Sequence, residues 1–253
     1  MSTVLEISAI EKLRGEELDE AHAVQNAMLP AEALLHGTIS ILHKISPVYD
    51  VGGDFLDYFT LSDGTLGLYL GDVAGKGLPA ALYSALVVGT LRGVHKTGQS
   101  PEVVLEWLNR RLCVRTIPMR YTAIQYASYD PKTSQMKISG AGMYGPFHIS
   151  SGGCQNLHIS GLPPGLFPGA SYEAQSIRLQ PGDSVIFATD GITDVQNERK
   201  EILGVDELNE LCEIHGNESP ELLLESIFRR VNRFTHGQAQ QDDMTAVVFH
   251  LGR

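Results

Sequence analysis

Residues 66–81 read LGLYLGDVAGKGLPAA and join a predicted strand to a predicted helix. The apolar run 66–73 is typical of a buried strand, and it ends at an aspartate with glycines close by. Pro79 suits the first turn of a helix, and the Ala- and Leu-rich stretch 80–96 has helical spacing. The segment therefore predicts a strand–turn–helix unit with the carboxylate of Asp72 at its turn.

Upstream, the sequence predicts a β-hairpin and an N-terminal helix. The apolar run 55–61 is separated from 66–73 by Ser-Asp-Gly-Thr, a combination that favours a tight turn. Residues 9–29 have apolar positions near one helical face, and Pro30 ends that run. From Thr38 onward the pattern becomes strand-like.

Downstream, a helix is predicted from Ser100 to about Arg115, followed by a β-rich section. The predicted strands cover residues 123–129, 135–139, 145–150, 154–159, 172–179 and 183–189. Two further helices, 205–215 and 220–235, precede a closing strand at 244–251. Strands in antiparallel order with helices inserted in pairs favour an α+β sandwich over an alternating βαβ fold.

The composition is that of a globular protein. The chain has 253 residues, 43% of them hydrophobic and 19% charged, which fits one large domain over 31–253 and a linker or regulatory helix over 1–30. A net charge of -11 argues against nucleic-acid binding. The apolar run 80–90 is too short to cross a membrane. Three scattered cysteines without a C-x-x-C motif favour a reducing, cytoplasmic location.

Four short segments each place an aspartate at or near the end of a predicted strand. They are residues 52–55 (GGDF), 71–77 (GDVAGKG), 189–191 (TDG) and 241–245 (QDDMT). Strand ends can gather side chains that are distant in sequence, and Mg²⁺ and Mn²⁺ prefer oxygen ligands. An Asp-Gly pair on its own usually marks only a turn. Spacing alone therefore leaves a metal site and a set of ordinary turns equally open.

The order of these motifs resembles one enzyme family. Residues 51–55, 71–81, 188–194 and 241–245 are similar to the motifs of type 2C (PPM) serine/threonine phosphatases, in particular the bacterial SpoIIE/RsbU-like branch. The resemblance runs from about Met28 to the C-terminus. It implies a type 2C β-sandwich of two mainly antiparallel sheets flanked by helices, with two Mn²⁺ or Mg²⁺ ions at one edge.

The resemblance also implies a role for each aspartate. Asp72 would bridge the two metals and the carbonyl of Val73 would complete one coordination shell. Asp190 and Asp242 would bind the other metal, and Asp54 would act near the centre directly or through water. These residues are the predicted catalytic and metal-binding set.

Three further aspartates rank below this set. Asp243 follows Asp242 and, in a strand, would point to the opposite face. Asp57 and Asp194 are more typical of ordinary structural residues. The arginine that contacts phosphate in eukaryotic relatives has no counterpart that the motifs identify.

The implied activity is hydrolysis of phosphoserine or phosphothreonine by a hydroxide that bridges the two metals and attacks phosphorus directly. The implied substrate is an anti-sigma-factor antagonist or a similar bacterial stress-signalling phosphoprotein. The N-terminal helix is expected either to pack on the domain or to receive an activator or a second copy of the chain. The rival hypothesis is a catalytically silent, phosphatase-like binding or sensor module.

Overall fold

Two antiparallel sheets pack face to face in a computed structural model that describes residues 2–253, with side chains from Lys12 onward. The strands are β1 (Ala33–His36), β2 (Ile39–Ser46), β3 (Phe55–Thr60), β4 (Leu66–Val73), β5 (Thr122–Asp130), β6 (Gln135–Ala141), β7 (Phe147–Ser150), β8 (Gly153–Asn156), β9 (Ala174–Arg178), β10 (Ser184–Ala188) and β11 (Met244–Leu251). One sheet has the order β1-β2-β11-β10-β7-β8 and the other β3-β4-β5-β6-β9.

Helices cover the outer faces of both sheets. They are α1 (Ser2–Met28), α2 (Gly77–Arg92), α3 (Pro101–Leu112), α4 (Asp190–Thr193), α5 (Gly204–His215) and α6 (Pro220–Phe234), with a 3₁₀ turn at His95–Thr97. Helices α2 and α3 pack on the five-stranded sheet, and α5 and α6 pack on the six-stranded sheet.

Strand β11, the last strand, contributes side chains to two hydrophobic layers, one on each face of its sheet. Val247 and Phe249 point into the layer between the sheets, whereas Ala246 and Val248 point to the helices on the outer face. Successive side chains of a strand alternate between faces, so a strand buried on both sides needs a continuous apolar run. The run from Met244 to Leu251 meets that requirement.

The predicted α+β fold of two antiparallel sheets is confirmed. The closing strand has the predicted bounds, and the hairpin of β3 and β4 differs by a single residue. The N-terminal helix begins at Ser2, earlier than the predicted residue 9. The sequence did not predict β1 or α4, because β1 is a mostly exposed edge strand and α4 is a single turn.

One helical stretch needs comment because of its composition. Within the described part of the chain, Gly77–Thr97 is long and apolar enough to cross a membrane, with a mean hydropathy of 1.3. It is longer than the apolar run recognised from sequence because it joins α2 to the 3₁₀ turn. Val87 and Leu91 are fully buried against the five-stranded sheet. The apolar residues on this side of α2 therefore belong to the core.

Candidate metal centre

The four predicted aspartates lie where the two sheets end together. Asp54 immediately precedes β3 and Asp72 is the penultimate residue of β4, which pairs antiparallel with β3. Asp190 follows β10 and Asp242 lies two residues before β11, which pair in the same way. Asp190 and Asp242 both raise the pKa of Asp72 through charge repulsion. The aspartates of the two sheets are therefore within electrostatic reach of one another.

Asp54 is buried, and only one of its two carboxylate oxygens accepts hydrogen bonds from the described residues. Its Oδ2 accepts hydrogen bonds from Thr189 Oγ1 at 3.0 Å and from Thr245 Oγ1 at 2.5 Å. Its Oδ1 is also buried, and no described residue donates to it. Burial, followed by the charge of Asp72, raises the pKa of Asp54 well above its ordinary value. A buried carboxylate oxygen without a partner is costly, and a cation beside it would remove that cost.

A glycine keeps two further oxygens accessible. A β-carbon at Gly53 would lie 3.0 Å from the carbonyl oxygen of Val73 and 3.1 Å from Asp72 Oδ1. Burial raises the pKa of Asp72 to about 7, with neighbouring aspartates adding to the effect. Carbonyl and carboxylate oxygens are the ligands that hard divalent cations prefer. The donor types of this cradle therefore fit Mn²⁺ or Mg²⁺.

Asp242 is paired with a lysine. Lys76 Nζ lies 2.8 Å from Asp242 Oδ2, and both side chains are about 42% exposed. The ammonium also donates to the carbonyl oxygen of Gln241. Lys76, Asp190 and Asp242 line a cavity of about 230 Å³. Among the described residues, no three His, Cys, Asp or Glu side chains are already arranged around a common ion position. The match to a metal centre thus rests on the donor types and the open oxygens.

Asp243 has a different task from Asp242. Its Oδ1 accepts from the backbone N–H of Val48 and its Oδ2 from that of Gly53, both at 2.7 Å. The buried carboxylate therefore fixes the loop that carries Asp54 against the start of β11. Asp243, which the sequence ranked as a lesser candidate ligand, instead anchors the backbone of this loop. Its two hydrogen bonds depend on the folded loop and are not visible in the sequence.

Asp57 lies away from the centre. Its Oδ2 accepts from Arg92 Nη2 at 3.1 Å and from Arg92 Nε at 3.2 Å. Arg92 Nη2 also donates to the carbonyl oxygen of Met28 at 2.6 Å. Asp57 therefore ties the end of α1 to α2 and β3, in agreement with a structural role. Asp194 is exposed, and its backbone N–H donates to the carbonyl oxygen of Asp190 at 2.6 Å.

Comparison with known proteins places the chain among bacterial phosphatases. The sequence profile of Stage II sporulation protein E (SpoIIE) matches residues 62–252. Phosphoserine phosphatase RsbU of Bacillus subtilis (strain 168) is 27% identical over 92% of this chain and 69% of its own length. Protein IcfG of Synechocystis sp. (strain ATCC 27184 / PCC 6803 / Kazusa) is 25% identical over 92% of this chain, which spans only 41% of IcfG.

The fold agrees with a solved structure. The SiaA-PP2C domain of Pseudomonas aeruginosa matches with a TM-score of 0.84 at 24% sequence identity. The match covers 97% of this chain and 99% of that domain. The two-sheet arrangement described above is therefore the PP2C, or type 2C, phosphatase fold.

The raised pKa of Asp72 predicts how the stability of the chelated protein depends on pH. The folded state keeps a proton that the unfolded chain releases, so the free energy of unfolding falls as pH rises from 3.8 to about 7. With EDTA, we expect Tm to decrease by on the order of 5 °C between pH 5 and pH 8. Saturating Mg²⁺ should remove most of the decrease, and Asp72→Asn should reduce it. Equal slopes in all three samples, measured by differential scanning fluorimetry, would contradict the prediction.

The Lys76–Asp242 ion pair predicts a competition between lysine and metal. Replacing Lys76 by Met removes a positive charge from a proposed metal ligand. Since an exposed ion pair is worth up to about 1 kcal/mol, we expect the Kd for Mn²⁺ to fall about two- to fivefold. Isothermal titration calorimetry measures the change directly. Lys132→Met, in the turn between β5 and β6, serves as the charge-matched control and should leave the Kd unchanged.

Proposed function

The chain belongs to the SpoIIE family, and on that premise we propose that it is a metal-dependent phosphatase acting on phosphoserine or phosphothreonine in a signalling phosphoprotein. The observation that carries this proposal is the buried, unpartnered Oδ1 of Asp54 next to the raised-pKa carboxyl of Asp72. Acidic groups crowded in this way are stabilised by cations. Phosphatases with this fold are generally metal-dependent.

Five residues would hold two divalent cations, Mn²⁺ or Mg²⁺. They are Asp72, Val73 through its carbonyl oxygen, Asp190, Asp242 and Asp54, the last directly or through a water molecule. An all-oxygen donor set suits these hard ions. When bound, the pair of cations supplies a water acidic enough to attack phosphorus near neutral pH, together with positive charge for the phosphate.

The chain's own residues position this chemistry. Thr189 and Thr245 orient Asp54, and Asp243 holds the loop on which Asp54 sits. Lys76 places a positive charge at the rim of the adjacent cavity for a bound phosphate. Water attacks phosphorus in line and the serine or threonine oxygen departs with a proton. Catalysis of this kind depends on positioning and electrostatics and needs no phosphoenzyme.

The alternative function is a phosphatase-like module that binds partners without turnover. All four motif aspartates are present, and two threonines are arranged around the most deeply buried one. A binding module would gain nothing from the cost of burying that carboxylate. Hydrolysis of p-nitrophenyl phosphate that depends on Mn²⁺ and is lost on chelation separates the two functions.

Asp72→Asn tests the assignment of the centre. The amide keeps the shape of the side chain but cannot supply the negative charge that two cations need. We expect kcat for p-nitrophenyl phosphate to fall by at least about a hundredfold, the scale on which electrostatic groups contribute. Asp63→Asn, at an exposed hairpin turn, is the matched control and should keep full activity. Near-normal turnover by the Asp72 variant, with an unchanged circular dichroism spectrum, would refute the assignment.

The proposed substrate class follows from the relatives. RsbU is named a phosphoserine phosphatase, and the resemblance of the motifs to its branch implies a substrate of the anti-sigma-factor antagonist class. We infer that this chain dephosphorylates a protein similar to an anti-sigma-factor antagonist. A cytoplasmic location agrees with three free cysteines, and nucleic acid is a poor partner for a chain with a net charge of -11.

Helix α1 contacts the loop that carries Asp54. Gln25 Nε2 donates to the carbonyl oxygen of Gly52 at 2.8 Å, and the Gly52 N–H donates to Gln25 Oε1 at 3.0 Å. His22 Nδ1 hydrogen-bonds the carbonyl oxygen of Asp50 one turn earlier. A rotation or shift of α1 would therefore move the Asp54 loop directly. We infer that residues 1–30 form a regulatory segment through which an activator, or a second copy of the chain, sets the activity of the domain 31–253.

Gln25→Ala tests this coupling. Two hydrogen bonds worth about 1 kcal/mol each would be lost, so we expect kcat for p-nitrophenyl phosphate to fall by up to about thirtyfold without unfolding the domain. Gln99→Ala, at an exposed position before α3, is the control. Deleting residues 1–27 should in addition change the oligomeric state or the response to a partner. If the deletion changes neither the oligomeric state nor the response to a partner, and Gln25→Ala is fully active, α1 is not a regulatory element.

A further inference from the structure

A basic and apolar surface borders the candidate centre on the side of the five-stranded sheet. It comes from two loops, residues 113–121 between α3 and β5 and residues 160–173 before β9, together with the end of α3. Its exposed side chains are Arg111, Arg115, Ile117, Met119, Leu166 and Phe167. We call this surface the basic-apolar face.

Backbone contacts fix the first loop next to the metal cradle. The N–H of Ala74 donates to the carbonyl oxygen of Tyr121 at 3.1 Å. Arg120 Nη1 donates back to the carbonyl oxygen of Ala74. Ala74 directly follows Val73, whose carbonyl belongs to the proposed ligand set. The basic-apolar face therefore begins within a few residues of the centre.

The second loop is held to the first and to α3. The N–H of Thr122 donates to the carbonyl oxygen of Pro164 at 3.1 Å. Buried Asn109 of α3 accepts from Gly165 N–H at 2.9 Å and donates to the carbonyl oxygen of Phe167 at 3.0 Å. These bonds fix the backbone beneath exposed Leu166 and Phe167. The exposed residues of the face are therefore held in place by buried hydrogen bonds.

The charge of this face is opposite to that of the whole protein. The chain has a net charge of -11, yet residues 107–121 contain four arginines and no acidic residue. The second loop, residues 160–173, contains a single charged residue, Glu173 at its end. A local basic patch on an acidic protein attracts acidic partners, and it disfavours a two-fold contact that would place the same patch of a second copy against it.

Met119 is the most exposed large apolar residue of the described chain. Its side chain is 89% exposed and its backbone has a φ of 59°, in the left-handed region that disfavours residues with a β-carbon. Ile117 is 47% exposed, and Phe167 on the second loop is 48% exposed. A strained turn that presents methionine to solvent is typical of contact surfaces, where flexible methionine adapts to a partner.

We propose that the basic-apolar face docks the substrate: a phosphoserine or phosphothreonine segment flanked by acidic residues, with an apolar side chain against Ile117 and Met119. The inference rests on the proposed function and adds which residues must flank the phosphorylated residue in the substrate. The arginines complement the acidic residues that flank the phosphorylated one, while the apolar residues add contact area. Selection therefore takes place on the two loops, separate from the chemistry at the aspartates.

The test uses two fluorescent phosphoserine peptides of equal length, one flanked by Asp and Glu and one by Lys, each with the same leucine. Binding is measured by fluorescence anisotropy, and turnover by kcat/KM beside p-nitrophenyl phosphate. We expect the wild type to prefer the acidic peptide by at least about tenfold. Arg115→Glu should abolish or invert this preference, and the neutral change Met119→Ser should weaken the binding of both peptides about fivefold. All proteins should hydrolyse p-nitrophenyl phosphate within about twofold of one another.

Controls and outcomes separate this inference from the proposed function. Arg229→Glu on α6 and Ile214→Ser on α5 make the corresponding changes at exposed sites elsewhere and should leave the binding of both peptides unaffected. No preference in the wild type, or an unchanged preference in Arg115→Glu, overturns docking at this face. A change in oligomeric mass by light scattering, with unchanged peptide binding, assigns the face to a second copy and also overturns it. Acidic-peptide binding without any metal-dependent hydrolysis refutes only the proposed function.

Discussion

The rest of the site depends on one constraint: carboxylates are buried beside one another at one end of a β-sandwich, where desolvation and then mutual repulsion disfavour their charged forms. Burial and the neighbouring carboxylates raise the pKa of Asp72 to about 7, and Asp54 has a buried oxygen without a donor. The surrounding residues reduce this cost in part: two threonines donate to Asp54, and Lys76 neutralises Asp242. Divalent cations would remove the remaining unfavourable charge, so the proposed metal binding would have the same origin as the cost of burying these carboxylates.

The two-sheet architecture makes this convergence possible. Asp54 and Thr245 touch although 191 positions separate them, because β3 and β11 belong to different sheets that end together. The apolar layer between the sheets, with Val247 and Phe249 among its members, sets the separation of their ends. Asp243 then joins the sheets directly by holding the backbone of Val48 and Gly53. Core packing and site geometry are therefore inseparable in this domain.

The sequence predicted the parts of this structure that depend on local pattern. Continuous apolar runs and turn chemistry located β3, β4 and β11, and the motif aspartates pointed to the sheet ends where the structure places them. Contacts that depend on tertiary arrangement were missed. Nothing in the order of residues indicates that Gln25 bonds Gly52, that Lys76 turns back to Asp242, or that Asp243 holds a loop. Strand β1 was missed because an exposed edge strand shows no apolar alternation.

The bond between Gln25 and the Gly52 backbone has an evolutionary consequence. Because the partner of Gln25 is main chain, the coupling depends on where the glutamine points and not on a partner side chain. Each residue of an α-helix advances the azimuth by about 100°. Inserting or deleting a single residue upstream would therefore reorient any attached module without altering the bond itself. Different sensor modules can be fused to such a helix. Natural selection can then adjust their effect on the domain by changing the number of residues in the connecting helix, without new contacts.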